Sequence, residues 1–183
     1  MQAGCYSIQA QPACINTSFP MTLSLKLINA AIYGTLGAIA VFLAATLGWP
    51  AWILFIGWIS YFQFGATLRN AGNTIILMSL GMLLAMFMTL CAGWLAPYWG
   101  NYGILPVVFI LIAALSFLEH DKWFGNMAAW FLGMVVFFAA GHPPELTGLP
   151  DLGLPVATGL LFGWLSAWLF SVARRNLTTH NPL

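Results

Sequence analysis

Charge is what this chain has least of. Only 5% of its 183 residues are Asp, Glu, Lys or Arg, against roughly 25% in an ordinary soluble domain. So few ions cannot cover a surface that has to stay dissolved in water, which excludes the soluble globular classes. The scarcity also removes functions. A net charge of +1 with no polybasic block gives nucleic acid nothing to grip, and no nucleic-acid partner is expected. No Asp, Glu, Lys or Arg falls in the middle of an apolar run, so the buried carboxylates of a proton-coupled pump and the arginine row of a voltage sensor are both missing.

Cysteine is nearly as sparse. Cys5, Cys14 and Cys91 have neither metal-site nor redox spacing. There is also no nucleophile-base pair, no phosphate-binding glycine loop, no dinucleotide fingerprint and no HExxH. The expectation is a protein that is not an enzyme, with no catalytic residue, no cofactor and no metal.

What fills the chain instead is apolar: 61% hydrophobic residues and 15% aromatic ones. Apolar runs recur along the whole length, and roughly 20 helical residues at 1.5 Å each cross a hydrocarbon core of about 30 Å. Closed barrels need strands that alternate apolar and polar residues, and these runs are apolar on every face. The expected fold is therefore all-α, a polytopic membrane protein of six transmembrane helices over 23–175. The spans read as 25–48, 51–67, 74–96, 104–118, 123–141 and 154–172. Trp49-Pro50 breaks the first from the second, because proline disfavours helix in the residue before it. Arg69-Asn70-Ala71-Gly72-Asn73 reads as a turn-rich connection, Pro97 to Gly103 as an aromatic interfacial loop, and His142 to Asp151 as a proline-broken one.

The N-terminal tail, 1–22, is polar and small; it reads as disordered or as lying upstream of a true start at Met21. The C-terminal tail, 176–183, reads as frayed and cytoplasmic.

Orientation follows from the few cations. Lys26 lies at the very start of the first span, Arg69 separates the second and third, Lys122 the fourth and fifth, and Arg174 with Arg175 follows the sixth. All five fall on one side of a six-span chain. By the positive-inside rule that side is cytoplasmic, in a bacterial inner membrane with both termini inside.

An internal echo accompanies this alternation. Leu36-Gly37, Leu80-Gly81 and Leu132-Gly133 lie in the outgoing spans, and Gly57-Trp58-Ile59-Ser60 is repeated as Gly163-Trp164-Leu165-Ser166, with a degenerate copy ending at Ser116, in the returning ones. The pattern suggests three helical hairpins on one plan, related by parallel pseudo-repetition. Gly37, Gly81, Gly133, Gly159 and Gly163 then serve close helix packing. Ser60, Ser116 and Ser166, with Gln63, either line a polar path or bond back to their own helices. Glu119, His120 and His142 mark a pH-responsive edge or a simply solvated one.

Two stretches carry a family resemblance. Ser60-Tyr61-Phe62-Gln63-Phe64-Gly65 running into Arg69-Asn70-Ala71-Gly72, and Leu154-Pro155 leading through Gly159 to Phe162-Gly163-Trp164, resemble the bacterial inner-membrane family called domain of unknown function 1097, from about Leu25 to Ala173. The resemblance implies a multi-pass membrane protein and supplies no catalytic residues. The expected function is a channel or permease-like protein for a small neutral or weakly polar solute; a structural or regulatory subunit without transport is the alternative. The lipid bilayer is the expected partner, and a homo-oligomer is compatible with the small-residue faces.

Overall fold

A computed structural model describes residues 23–141 and 143–179. Among the described residues the chain is helical: α1 (Leu23–Leu47), α2 (Ala51–Gln63), α3 (Leu68–Trp99), α4 (Ile104–Ser116), α5 (Met127–Ala140) and α6 (Leu149–Thr179). Short 3-10 turns, Gly100–Gly103 and Leu146–Gly148, precede α4 and α6. The expectations placed on the N-terminal tail, its two cysteines, His142 and the last residues of the chain lie outside the described residues.

Three helices are long and apolar enough to cross a membrane: Leu25–Leu47, Leu68–Trp99 and Leu146–Arg175 including its leading turn. The others are apolar but have only 13, 13 and 14 residues. At 1.5 Å per residue each reaches about 20 Å, short of a hydrocarbon core of about 30 Å. The second, fourth and fifth expected spans are thus shorter as helices than the apolar runs suggested. The difference lies in their ends: Phe64–Thr67 and Phe117–Asn126 are turns rather than helix.

Two boundaries move the other way. The connection read at Arg69–Asn73 is the first turn of α3. Thr67 caps it, its hydroxyl accepting from the Asn70 amide at 3.2 Å, as threonine does at a helix start. The true turn is Phe64–Thr67, where Gly65 (φ +99°) and Ala66 (φ +48°) both sit in the left-handed region. That conformation is uncommon for alanine. It is held by the Tyr61 hydroxyl donating to the Ala66 carbonyl at 2.9 Å and the Asn70 side chain donating to the Phe64 carbonyl at 2.9 Å. Likewise α6 begins at Leu149 and runs through Pro155. Pro150 costs the helix nothing there, because a first-turn amide has no partner to lose.

Packing does not follow the order of the chain. Consecutive helices touch modestly, and the two extensive seams join α2 to α6 and α3 to α5. Both seams are parallel. Leu54 of α2 lies against Gly159 of α6 and Tyr61 against Gly163; Asn73 of α3 lies against Trp123 just before α5, and Gly81 against Gly133. The main core fills the space between them with Leu77, Met78, Met82, Ala85 and Met88 facing Ala129, Trp130, Met134, Val136 and Phe137. A smaller cluster, Leu36, Ala40, Leu54 and Trp58, joins α1 to α2 and α6. The expected hairpin neighbours are therefore not the main packing partners of α2, α3, α5 and α6, whereas α4 does pack on α3.

The outside is as apolar as the inside. Phe42, Phe109 and Leu161 are 70%, 75% and 60% exposed, and they are three among many. Contiguous apolar exteriors of this extent belong to surfaces that meet lipid or another protein, not water.

Candidate functional site

The sites proposed from sequence fall into three groups. Gly81 and Gly133 meet each other across the α3/α5 seam. A Cβ on Gly133 would overlap the Met78 carbonyl oxygen, and one on Gly81 the Trp130 carbonyl oxygen while lying 3.2 Å from the Gly133 Cα. Gly159 and Gly163 do the same in the α2/α6 seam, against the Leu54 carbonyl oxygen and the Tyr61 side chain. Gly57, the glycine of the repeated Gly-Trp-x-Ser element, completes this seam against the Val156 carbonyl oxygen. Gly37 differs: a Cβ there would meet nothing within 4 Å, so it touches no other helix among the described residues.

The serines do not converge. Ser60 and Ser166 are fully buried in α2 and α6, whereas Ser116 is exposed at the end of α4, which packs on α3. Each bonds to its own helix: Ser60 donates to the Ile56 carbonyl at 2.7 Å, Ser116 to Ala113 at 2.7 Å and Ser166 to Gly163 at 2.8 Å. This is the usual solution for a hydroxyl in an apolar helix. No buried side-chain polar atom among the described residues lacks a partner. Gln63 is exposed as the last residue of α2.

Glu119 and His120 are exposed in the turns that follow α4. Asp121 does the structural work of that turn: its Oδ1 accepts from the Trp123 amide at 2.7 Å and the Phe124 amide at 3.0 Å. These backbone bonds, Phe124 first, hold its carboxyl below the ordinary aspartate range, because they favour the charged acceptor. The folded pKa is the depressed one, so the contribution is complete above the unfolded value near 3.9 and is lost as pH falls through the folded pKa. Hydrogen exchange on the Trp123 and Phe124 amides should show protection falling in that acid window in the native chain. In Asp121→Asn it should be flat with pH; identical profiles would dismiss the capping role.

One concave feature is an aromatic groove of about 260 Å³ between α1 and α2, lined by Tyr33, Gly37, Phe55, Trp58, Ile59 and Phe62. Its back wall is Trp58, whose Nε1 donates to the Ser166 hydroxyl at 3.3 Å. Ser166 therefore fixes the indole rather than facing a path. Tyr33 stacks on Trp58 with centroids 6.0 Å apart and lies 6.2 Å from Phe62; Phe55 and Phe162 approach Trp58 at 6.1 and 5.8 Å. These are the separations at which aromatic rings attract beyond simple burial. The open rim is Tyr33, Ile59 and Phe62, all exposed, so the groove faces sideways into whatever surrounds the helices. Gly37 leaves the space that any side chain would fill.

Nothing in the sequence separated Trp58 from eight other tryptophans. Its only signal was membership of the repeated Gly-Trp-x-Ser element. Among the described residues no three His, Cys, Asp or Glu side chains stand together as metal ligands.

Among the described residues, an apolar exterior, three helices of spanning length and buried side-chain polar atoms that all have partners are the features of the class of helical membrane proteins. The sequence from residue 30 to residue 171 matches the family described as protein of unknown function (DUF1097), and the chain belongs to that family. Neither the curated proteins nor the solved structures contain a match.

Proposed function

We propose that the chain is a six-span, multi-pass protein of the bacterial inner membrane, with both termini cytoplasmic and no enzymatic activity, and that the α1/α2 groove binds or passes a small neutral or weakly polar solute. The groove itself carries the reading: four aromatic side chains and one glycine surround a cavity with no charged residue in its lining. Such walls suit a neutral molecule that partitions into lipid and enters sideways.

Two observations support the topology. The parallel seams put the end of α2, the starts of α3 and α5 and the end of α6 at one end of the bundle. Tyr33 of α1 against Phe62 of α2 adds the start of α1. Lys26, Arg69, Lys122, Arg174 and Arg175 all belong to that end, as the positive-inside rule requires of a cytoplasmic face. The short helices reach the interfaces through their turns and aromatic flanks, with local thinning of the bilayer.

Liposomes containing the purified protein should swell faster than empty ones in at least one small neutral solute. Gly37→Phe, which fills the groove, should return the rate to that of empty liposomes. A panel of solutes with no acceleration sinks the transport reading. The satisfied interior favours a second reading, a structural or regulatory subunit; co-purification of a stoichiometric partner together with inert liposomes would establish it.

A further inference from the structure

At the cation-bearing end of the bundle a second cleft, about 580 Å³, opens between the start of α3 and the turn that precedes α5, lined by Arg69, Asn70, Asn73, Ile76, Lys122 and Trp123. Its chemistry is the opposite of the aromatic groove. Two cations come from segments more than fifty residues apart in the chain, and the lining contains no carboxylate. The nearest acid in sequence, Asp121, has its Oδ1 committed to the Trp123 and Phe124 amides. The two walls are tied together, since the Asn73 side chain donates to the Trp123 carbonyl at 3.3 Å. Asn70 is likewise fixed to the Phe64 carbonyl. The cations therefore project from a braced frame rather than from independent loops. Trp123, 65% exposed, and Ile76, 55% exposed, form the apolar part of the lining.

We propose that this cleft is a binding site for a phosphate group, with Arg69 and Lys122 as its two charge partners and the Ile76 and Trp123 surfaces as the seat for whatever the phosphate is attached to. Arginine offers a planar fork that matches two phosphate oxygens, and lysine a compact point charge. A basic pocket between helices at the cytoplasmic surface is where an anionic headgroup would reach it. The sources of such a group are an anionic phospholipid and free phosphate, and the apolar seat distinguishes them. The inference rests on the membrane reading and is independent of any solute in the aromatic groove.

The full chain, purified in a neutral detergent, is titrated with dihexanoyl phosphatidylglycerol, with dihexanoyl phosphatidylcholine and with inorganic phosphate, and binding is followed by native mass spectrometry. One phosphatidylglycerol per chain should bind saturably, and the choline lipid should not. Arg69→Gln with Lys122→Gln should weaken it about tenfold or more, given the usual worth of each cation near an anionic surface. Arg69→Gln and Lys122→Gln, each singly, should weaken it by less; they serve if the double variant does not purify. Lys26→Gln, at the same end but outside the cleft, should leave binding unchanged, as should Gly37→Phe. Inorganic phosphate displacing the lipid at equal concentration would identify free phosphate as the ligand and make the apolar seat idle; failure to displace it identifies the lipid. Saturable binding of neither probe, a loss in Lys26→Gln equal to that in the cleft variants, or binding indifferent to Arg69 and Lys122 overturns the proposal.

Discussion

Gly133→Ala should lower the melting temperature of the purified protein by roughly 2–12 °C, while Gly37→Ala should leave it unchanged or raise it slightly. Both glycines follow a leucine in an outgoing helix, and sequence gives no reason to treat them differently. Their surroundings do. The new methyl carbon at Gly133 would overlap the Met78 carbonyl oxygen and lie 2.8 Å from the Met78 carbonyl carbon and 2.9 Å from its Cα. All three are backbone atoms of a helix packed on the other side, so nothing at the end of a flexible side chain can move aside. Overpacking of this kind costs about 1–3 kcal/mol and occasionally more, at about 2–4 °C per kcal/mol for a chain of this size. At Gly37 a Cβ meets nothing within 4 Å, and alanine is the better helix former by about 0.5–1 kcal/mol. Thermal scans at one fixed rate in one detergent make the comparison. Equal shifts for the two variants would mean that the α3/α5 seam is not as close as described.

The second large effect is expected at Trp58. Trp58→Ala should cost about 3 kcal/mol, the lower end of the range for emptying a large aromatic site. Lipid competes with the protein interior for apolar groups far better than water does, so the transfer term contributes little and the lost packing dominates. Trp58 touches Tyr33, Phe55 and Phe162, which makes it the link between α1, α2 and α6. Trp58→Phe keeps a ring and loses the donor, at about 1 kcal/mol. Ser166→Ala leaves the indole N–H without its acceptor, at about 1–3 kcal/mol. Because the two residues share one hydrogen bond, the double variant Trp58→Phe with Ser166→Ala should cost less than the two changes summed. Strict additivity would show that the bond is not made in detergent, and a Trp58→Phe as damaging as Trp58→Ala would remove the argument from packing.

How far the sequence could be read depends on the kind of information each feature needs. The class follows from composition, because a 5% charge content leaves the exterior no choice. The seams were half legible. Gly81, Gly133, Gly159 and Gly163 stand out as small residues in large apolar company, and all four touch a partner backbone or Tyr61. Which helix each one meets was not legible, because these helices are apolar all round and no stripe marks the buried face. Sequence order was the only guide, and it pointed to neighbours instead of to α2/α6 and α3/α5. Gly37, which lines the groove, looks like the seam glycines in sequence for the same reason: an open groove and a tight seam ask for the same residue. The repeated serine misled differently. Ser60 and Ser166 lie in the two helices of one seam, but the hydroxyls are consumed within their own helices, and only the Trp58 donor crosses the seam. At the α2–α3 boundary Asn70 and Gly72 read as turn residues by propensity, yet both lie in the first turns of α3. Thr67, a capping residue three positions before Asn70, was the signal for a helix start.

The pairing of α2 with α6 also sets a timetable for synthesis. Between Gln63 and Leu149 the ribosome must make α3, α4 and α5, which at about 5–20 residues per second takes several seconds. During that interval α2 has no α6 to pack against, with nothing over Gly57 and the Trp58 indole without its acceptor. A nascent chain stalled before Leu149 would hold this half-made seam open.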